Sequence, residues 1–229
     1  MKPLILLLSA LLLSGCASTY NYYSAPPNTP VFSGENEGYI SGGVGATGAN
    51  IRSAYSVSDN IAVLGMYHTG YGDEYHASEG ELGVGFFTPY DNNYQFLFFA
   101  GYGFGRNFVQ KPGNTYRTSG GNFDRPFMQF TIASKEKPLP ILSFLNGSSG
   151  LTMKVNYLIY DGYKNSDGLT KNPFNAENFY YEPYVHSVVG GEKLKFEIGL
   201  GVPLKNQYRG SPNVRVLPIN SYIGMHIVF

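Results

Sequence analysis

The stretch Tyr94-Gln-Phe-Leu-Phe-Phe-Ala-Gly-Tyr-Gly-Phe-Gly105 decides the fold. Read two residues at a time, one face carries Tyr94, Phe96, Phe98, Ala100, Tyr102 and Phe104, and the other carries Gln95, Leu97, Phe99, Gly101, Gly103 and Gly105. Alternation with period two marks a β-strand, whose successive side chains point to opposite sides of a sheet. Leu194 to Val202 repeats it: Leu194, Phe196, Ile198, Leu200 and Val202 oppose Lys195, Glu197, Gly199 and Gly201. A soluble barrel turns its large apolar side chains inward and covers its outside with charge, where glycine only weakens a strand. Glycine is better suited to a crowded interior, so the aromatics are expected on lipid and the small and charged residues inside. The alternation alone fits both arrangements.

Ten runs of this kind follow one another: Tyr39 to Ala46, Ala49 to Val57, Ile61 to Gly70, Ser78 to Thr88, Tyr94 to Arg106, Phe123 to Ser134, Leu151 to Tyr163, Phe179 to Val189, Lys193 to Pro203 and Leu217 to Phe229. Each is about as long as a tilted strand that crosses a bilayer. Tight-turn residues at Ser58-Asp59-Asn60, Pro89 to Asn93 and Gly190-Gly191 alternate with longer loops at Tyr71 to Ala77, Asn107 to Asn122, Lys164 to Asn178 and Leu204 to Val216. Short turns at one end and long loops at the other predict an all-β, closed antiparallel up-and-down transmembrane β-barrel of about ten strands, eight being the alternative count, with both termini in the periplasm. Thr47-Gly48 is short for an outer loop, and Lys135 to Gly150 is long for a turn; its segment from Pro138 to Leu145 is expected to form a small interfacial or capping element.

Composition agrees. Of 229 residues only 14% are charged, against about 25% in ordinary soluble domains, whereas Tyr 20, Phe 16 and Gly 29 are all high. Sixteen basic and sixteen acidic residues balance, which provides no electrostatic footprint for nucleic acid.

At the N-terminus, Lys2 precedes the apolar run Leu4 to Leu13, and Leu13-Ser14-Gly15-Cys16 follows. The run is too short to span a bilayer. These residues resemble a bacterial lipoprotein signal over residues 1–15, cleaved after Gly15. The resemblance implies a diacylglycerol on the Cys16 thiol and an acyl group such as palmitate on its amine; residues 39–229, by their strand pattern, resemble the small outer-membrane barrel proteins. An ordinary secretory signal with a chance cysteine is the alternative. Cys16 is the sole cysteine, so a disulfide is impossible. Ala17 stands where inner-membrane lipoproteins of the resembled system carry Asp, which points to the cell outer membrane. The lack of an acidic cluster after Cys16 disfavours export of the anchor to the cell surface. Residues 16–38, with Pro26, Pro27, Asn28 and Pro30, read as an extended tether between anchor and domain.

The last strand, Gly224-Met-His-Ile-Val-Phe229, resembles the C-terminal strand by which outer-membrane barrels are recognised for assembly, on Gly224, Ile227 and Phe229. That resemblance implies the barrel assembly machinery as a partner during biogenesis and outer membrane lipid as the surroundings. Fold alone transfers no activity.

Chemical signals are sparse. The proposed inner faces carry Arg52, Arg125, Lys154 and Lys195 against Glu79, Glu81, Glu182 and Glu197, four of each sign, which suggests a closed ionic network. Glu79 and Glu81 share a face and could be read as paired catalytic carboxylates, but structural pairing is the expectation. Gly43-Val-Gly-Ala-Thr-Gly48 matches a dinucleotide pattern without a helix after it. His68, His76, His186 and His226 lack metal-ligand spacing. His186 and Ser187 are adjacent, so on a strand they face opposite ways and form no simple dyad.

No cofactor or metal and no catalytic activity is expected. The leading expectation is a lipid-anchored integral outer-membrane barrel with an envelope, surface-contact or complex-subunit role. A periplasm-facing soluble β-barrel carrying an apolar ligand and tethered by Cys16 is the alternative, and an outer-membrane lipid or glycan hydrolase is the third.

Overall fold

The structure, a computed structural model, describes residues 22, 24–32, 34–70, 75–90, 93–111, 114–140, 144–164, 174–206 and 219–229. The signal peptide, Gly15 and Cys16 lie outside them. Twelve strand segments form: β1 (Gly38–Gly45), β2 (Gly48–Ser56), β3 (Ile61–Gly70), β4 (Tyr75–Tyr90), β5 (Tyr94–Lys111), β6 (Asn114–Ser134), β7 (Lys137–Pro138), β8 (Asn146–Lys164), β9 (Phe174–Gly190), β10 (Leu194–Gly201), β11 (Leu204–Asn206) and β12 (Asn220–Val228). Ten of them are the staves of a closed antiparallel barrel, β7 and β11 being short additions. Every stave pairs with its neighbours along the chain, and β12 returns to β1.

All ten expected runs are strands, because a wall with different surroundings on its two sides imposes period two on every stave. Five staves, β4, β5, β6, β8 and β9, extend past their expected ends by more than one residue. The residues read as a loop at Asn107 to Asn122 continue the β5–β6 hairpin instead, pairing Asn107 with Gly121 and Val109 with Ser119. Backbone pairing persists there where the side-chain pattern fades. Conversely, β10 stops at Gly201 before Pro203, whose ring nitrogen has no proton to donate, and β11 resumes the pairing with β9 at Leu204. The long Lys135 to Gly150 connection forms a small hairpin at the turn end: β7 pairs with Asn146 and Gly147, and Leu139 N donates to Leu145 O at 2.9 Å.

The seam is paired to its last residue. Gly38 N donates to Phe229 O at 2.9 Å and Phe229 N donates to Gly38 O at 2.9 Å. Gly48, at φ 140° in the tight β1–β2 turn, approaches the Thr69 carbonyl so closely that a Cβ would sit 2.2 Å from it. The Gly43 to Gly48 motif is therefore a strand end and a turn, with no helix for a nucleotide phosphate.

The faces are sorted as the glycines imply. Ile40, Ile51, Val63, Leu82, Phe96, Phe130, Leu151, Val185, Ile198 and Ile223, one from each stave, point outward and are exposed. Gln95, Leu97 and Phe99 point inward and are buried. The interior is apolar near the turn end, where Phe32, Leu64, Phe87, Leu97, Phe99 and Phe127 cluster. A second cluster of Tyr22, Phe123, Leu158, Tyr160 and Tyr180 lies toward the long loops.

Inward glycines make room for inward tyrosines. A Cβ on Gly199 would sit 1.7 Å from the Tyr184 hydroxyl, and one on Gly224 would sit 1.7 Å from that of Tyr222. Gly224→Val should therefore overpack the wall and lower unfolding free energy by about 1–3 kcal/mol. The outward Ile223→Val should change it by less than about 0.5 kcal/mol. Thermal loss of the β-sheet circular dichroism of the refolded protein checks both.

Candidate functional site

The lumen is occupied by the protein's own N-terminal segment. Every residue from Ser24 to Pro30 is buried, as are Tyr22 and Phe32. Within residues 16–38, expected to be an extended tether between anchor and domain, the described residues 24–32 run inside the barrel. The same composition suits both settings. Pro26, Pro27 and Pro30 have no N–H to satisfy, so a chain rich in proline can run through a closed space with fewer donors needing partners.

Four carbonyls of the segment, those of Ser24, Pro27, Asn28 and Phe32, accept from inward side chains of the wall. Asn220 Nδ2 donates to Ser24 O at 2.9 Å, Arg52 Nη1 to Pro27 O at 2.8 Å and Gln129 Nε2 to Asn28 O at 2.6 Å. Asn28 Nδ2 in return donates to Ser53 O at 2.8 Å and Gly65 O at 3.2 Å. Gln95 clasps Phe32 at both groups: Nε2 donates to its carbonyl at 2.6 Å, and Oε1 accepts from its amide at 3.1 Å. Gln95 acts as a β-strand partner made from a side chain.

Two ionic groups flank this segment. In the first, Arg52 pairs with Glu197 with both side chains fully buried. Glu197 also accepts from Thr29 Oγ1 at 2.9 Å and contacts His226 Nε2 at 2.8 Å. The Arg52 guanidinium lies 4.2 Å from the Tyr222 ring centroid, the ring that Gly224 leaves room for. In the second, Arg125 meets Glu81 at 2.7 Å and Glu79 at 3.5 Å, Lys154 meets Glu81 at 2.6 Å, and Arg125 donates to the Tyr22 hydroxyl. Tyr22 stacks on Tyr180 with centroids 5.4 Å apart and meets Phe123 edge-on at 5.9 Å.

All eight charged residues expected on inner faces are buried: Arg52, Glu79, Glu81, Arg125, Lys154, Glu182, Lys195 and Glu197. Their pairing differs from the expected four-by-four set. Lys195 pairs with Glu136 of the turn-end connection, and Glu182 stands opposite Lys154 in the β8–β9 register. Glu136 was missed because its segment has no strand periodicity. His226 could have been found, since it alternates inward with Gly224. Pro27, Asn28 and Thr29 carry no sequence signal of burial.

At the turn end a cavity of about 530 Å³ is lined by Thr29, Pro30 and Phe32 of the segment, by Lys135, Glu136 and Lys195, and by the terminal Phe229. Of the three residues of the last strand that resemble an assembly signal, Gly224 is inward and buried, whereas Ile227 and Phe229 are exposed.

Glu79 and Glu81 are both drawn to Arg125, and Glu81 also to Lys154, so these carboxylates are engaged as ion pairs. His186 is buried in the lumen, whereas Ser187 Oγ lies on the other face, 3.3 Å from Ser149 Oγ. Among the described residues no group of three or more His, Cys, Asp and Glu side chains could hold a metal ion. No protein-family model matches the chain, and no curated protein shows significant similarity to it.

Removing one partner of a buried ion pair leaves the other charge stranded and costs about 3–5 kcal/mol, whereas replacing both with apolar groups of similar volume is often neutral. Glu197→Ala should therefore destabilise the barrel by that amount. The double change Arg52→Met with Glu197→Leu should recover most of it, as measured by urea unfolding in detergent.

Proposed function

We propose that the protein is a lipid-anchored integral β-barrel of the cell outer membrane. Its role is non-catalytic: envelope structure, surface contact through the long loops, or service as a subunit of an outer-membrane complex. The observation that carries this reading is the band of exposed apolar side chains on all ten staves around an interior of buried charges. Water outside would leave that band unpaired with any apolar medium, while lipid outside satisfies it. A soluble carrier needs the reverse sorting, with its apolar faces turned in to a ligand. Hydrolysis needs a nucleophile and a base on one side of the wall, and Ser187 and His186 are on two.

Outer membrane lipid is then the solvent of the wall. The barrel assembly machinery is the partner during biogenesis, reading the terminal Gly224, Ile227 and Phe229. Anchoring through Cys16 by several acyl chains, each methylene contributing about 0.8 kcal/mol, adds a second attachment to that of the wall. A lumen filled by residues 24–32 fits a barrel whose work is done at its ends.

The test replaces residues 1–16 with a non-lipoprotein secretion signal. The expected product stays in the outer-membrane fraction through alkaline extraction and migrates differently on gels when unheated; soluble recovery from the periplasm would overturn the reading. Because the lumen is filled, the purified full chain should be electrically silent in planar bilayers. Deletion of residues 24–32 should produce small-ion current steps, since Arg52, Gln95 and Gln129 then face water.

A further inference from the structure

We infer that Cys16 stands on the long-loop side of the barrel, so that the chain threads its own lumen and its acyl chains sit on the face opposite the one where the barrel sheet begins and ends. The inference rests on the lipid-anchored barrel reading. In the orientation proposed above, with the long loops outside the cell, the anchor is in the outer leaflet.

The direction of the segment carries it. Phe32 is at the turn end: Gln95, its partner, is the second residue of β5, and Phe87, which packs on it at 4.9 Å, donates its amide to Asn60 O of the β2–β3 turn and accepts from Asn60 Nδ2 at 3.1 Å. Tyr22 is at the other end, bonded to Arg125, which stands opposite Gly103 on β5. Gln95 and Gly103 are eight residues apart on one strand, about 26 Å at about 3.3 Å per residue. Ten residues separate Tyr22 from Phe32, an extended reach of about 33–36 Å. The segment thus runs through the lumen from the long-loop end to the turn end and enters β1 there.

Cys16 precedes Tyr22 by six residues, a reach of at most about 22 Å. That is less than the depth already traversed, and the way back to the turn-end mouth is filled by residues 24–32. Nor can the chain leave sideways toward the turn end, because the staves there are hydrogen-bonded in a closed ring, with the β1–β12 seam paired from Tyr39–Val228 to Gly45–Tyr222. The long-loop mouth is the exit. This runs against the expectation drawn from the missing acidic cluster after Cys16: a threaded lumen places the anchor at the surface by chain path.

The test uses the full-length, lipidated protein in its outer membrane. Three single-cysteine probes are compared: Tyr20→Cys beside the anchor, Ser166→Cys in the β8–β9 loop and Asp59→Cys in the β2–β3 turn. Cys16 is silent because its thiol is alkylated, and heat-modifiable migration shows that each variant is folded. Labelling with a membrane-impermeant maleimide in intact and lysed cells should group Tyr20→Cys with Ser166→Cys, both labelled in intact cells. Asp59→Cys should be labelled at least ten-fold less until lysis. If Tyr20→Cys instead behaves as Asp59→Cys does, or is protected in both preparations, the threading inference is overturned. If Asp59→Cys is the probe reached in intact cells and Ser166→Cys is not, the proposed orientation falls, while Tyr20→Cys grouping with Ser166→Cys still upholds the threaded path.

Discussion

The Arg52 guanidinium is the joint on which wall and segment both depend. It is buried on β2, pairs with Glu197 on β10, and gives its other terminal nitrogen to the Pro27 carbonyl at 2.8 Å. A charge taken out of water is tolerated only when its partners are nearly ideal. Here charge and counter-charge stand on β2 and β10, two staves that do not pair with each other, and the further acceptor is a chain that belongs to neither. Glu197 repeats the arrangement, receiving Arg52, His226 and Thr29. Arg52, Glu197 and Gln129 therefore each take a partner from residues 24–32, and the Ser24, Pro27, Asn28 and Phe32 carbonyls in turn take theirs from the wall.

Closure follows from the same economy of space. A ten-stave barrel is narrow, and its wall carries large inward side chains such as Tyr184 and Tyr222. They fit because Gly199 and Gly224 stand beside them without a Cβ. Tyr222 then lies against Arg52 and gives the cation an aromatic face. The glycines that mark the inner face are thus connected, through one ring, to the charge that secures the threaded segment.

The functional reading draws on both halves of this arrangement. Apolar side chains outside and ion pairs inside invert the sorting of a water-soluble domain, which is why lipid is the proposed medium. A filled lumen turns attention from passage through the barrel to what the two ends present. Under the threaded path, the anchor and the long loops share one end, and the turn end keeps the cavity bounded by Lys195, Glu136 and Phe229.

The ten staves and their order were legible in the sequence, because each stave must repeat the same inside and outside along its length, and the direction of the faces was legible from the glycines and charges gathered on one of them, as in Leu194 to Val202. The burial of Arg52, Glu79, Glu81, Arg125, Lys154, Glu182, Lys195 and Glu197 could be read in the same way, since parity alone places a residue on one side. Which charge meets which was not legible: parity says nothing about neighbours across a closed circle, so Lys195 meeting Glu136 and Arg52 meeting Glu197 are products of curvature. Residues 24–32 were the least legible. A proline-rich extended chain satisfies few of its own backbone groups wherever it lies, so its composition is the same in water and in a lumen. Only the tertiary structure, by supplying Asn220, Arg52, Gln129 and Gln95 at successive depths, decided that it runs inside.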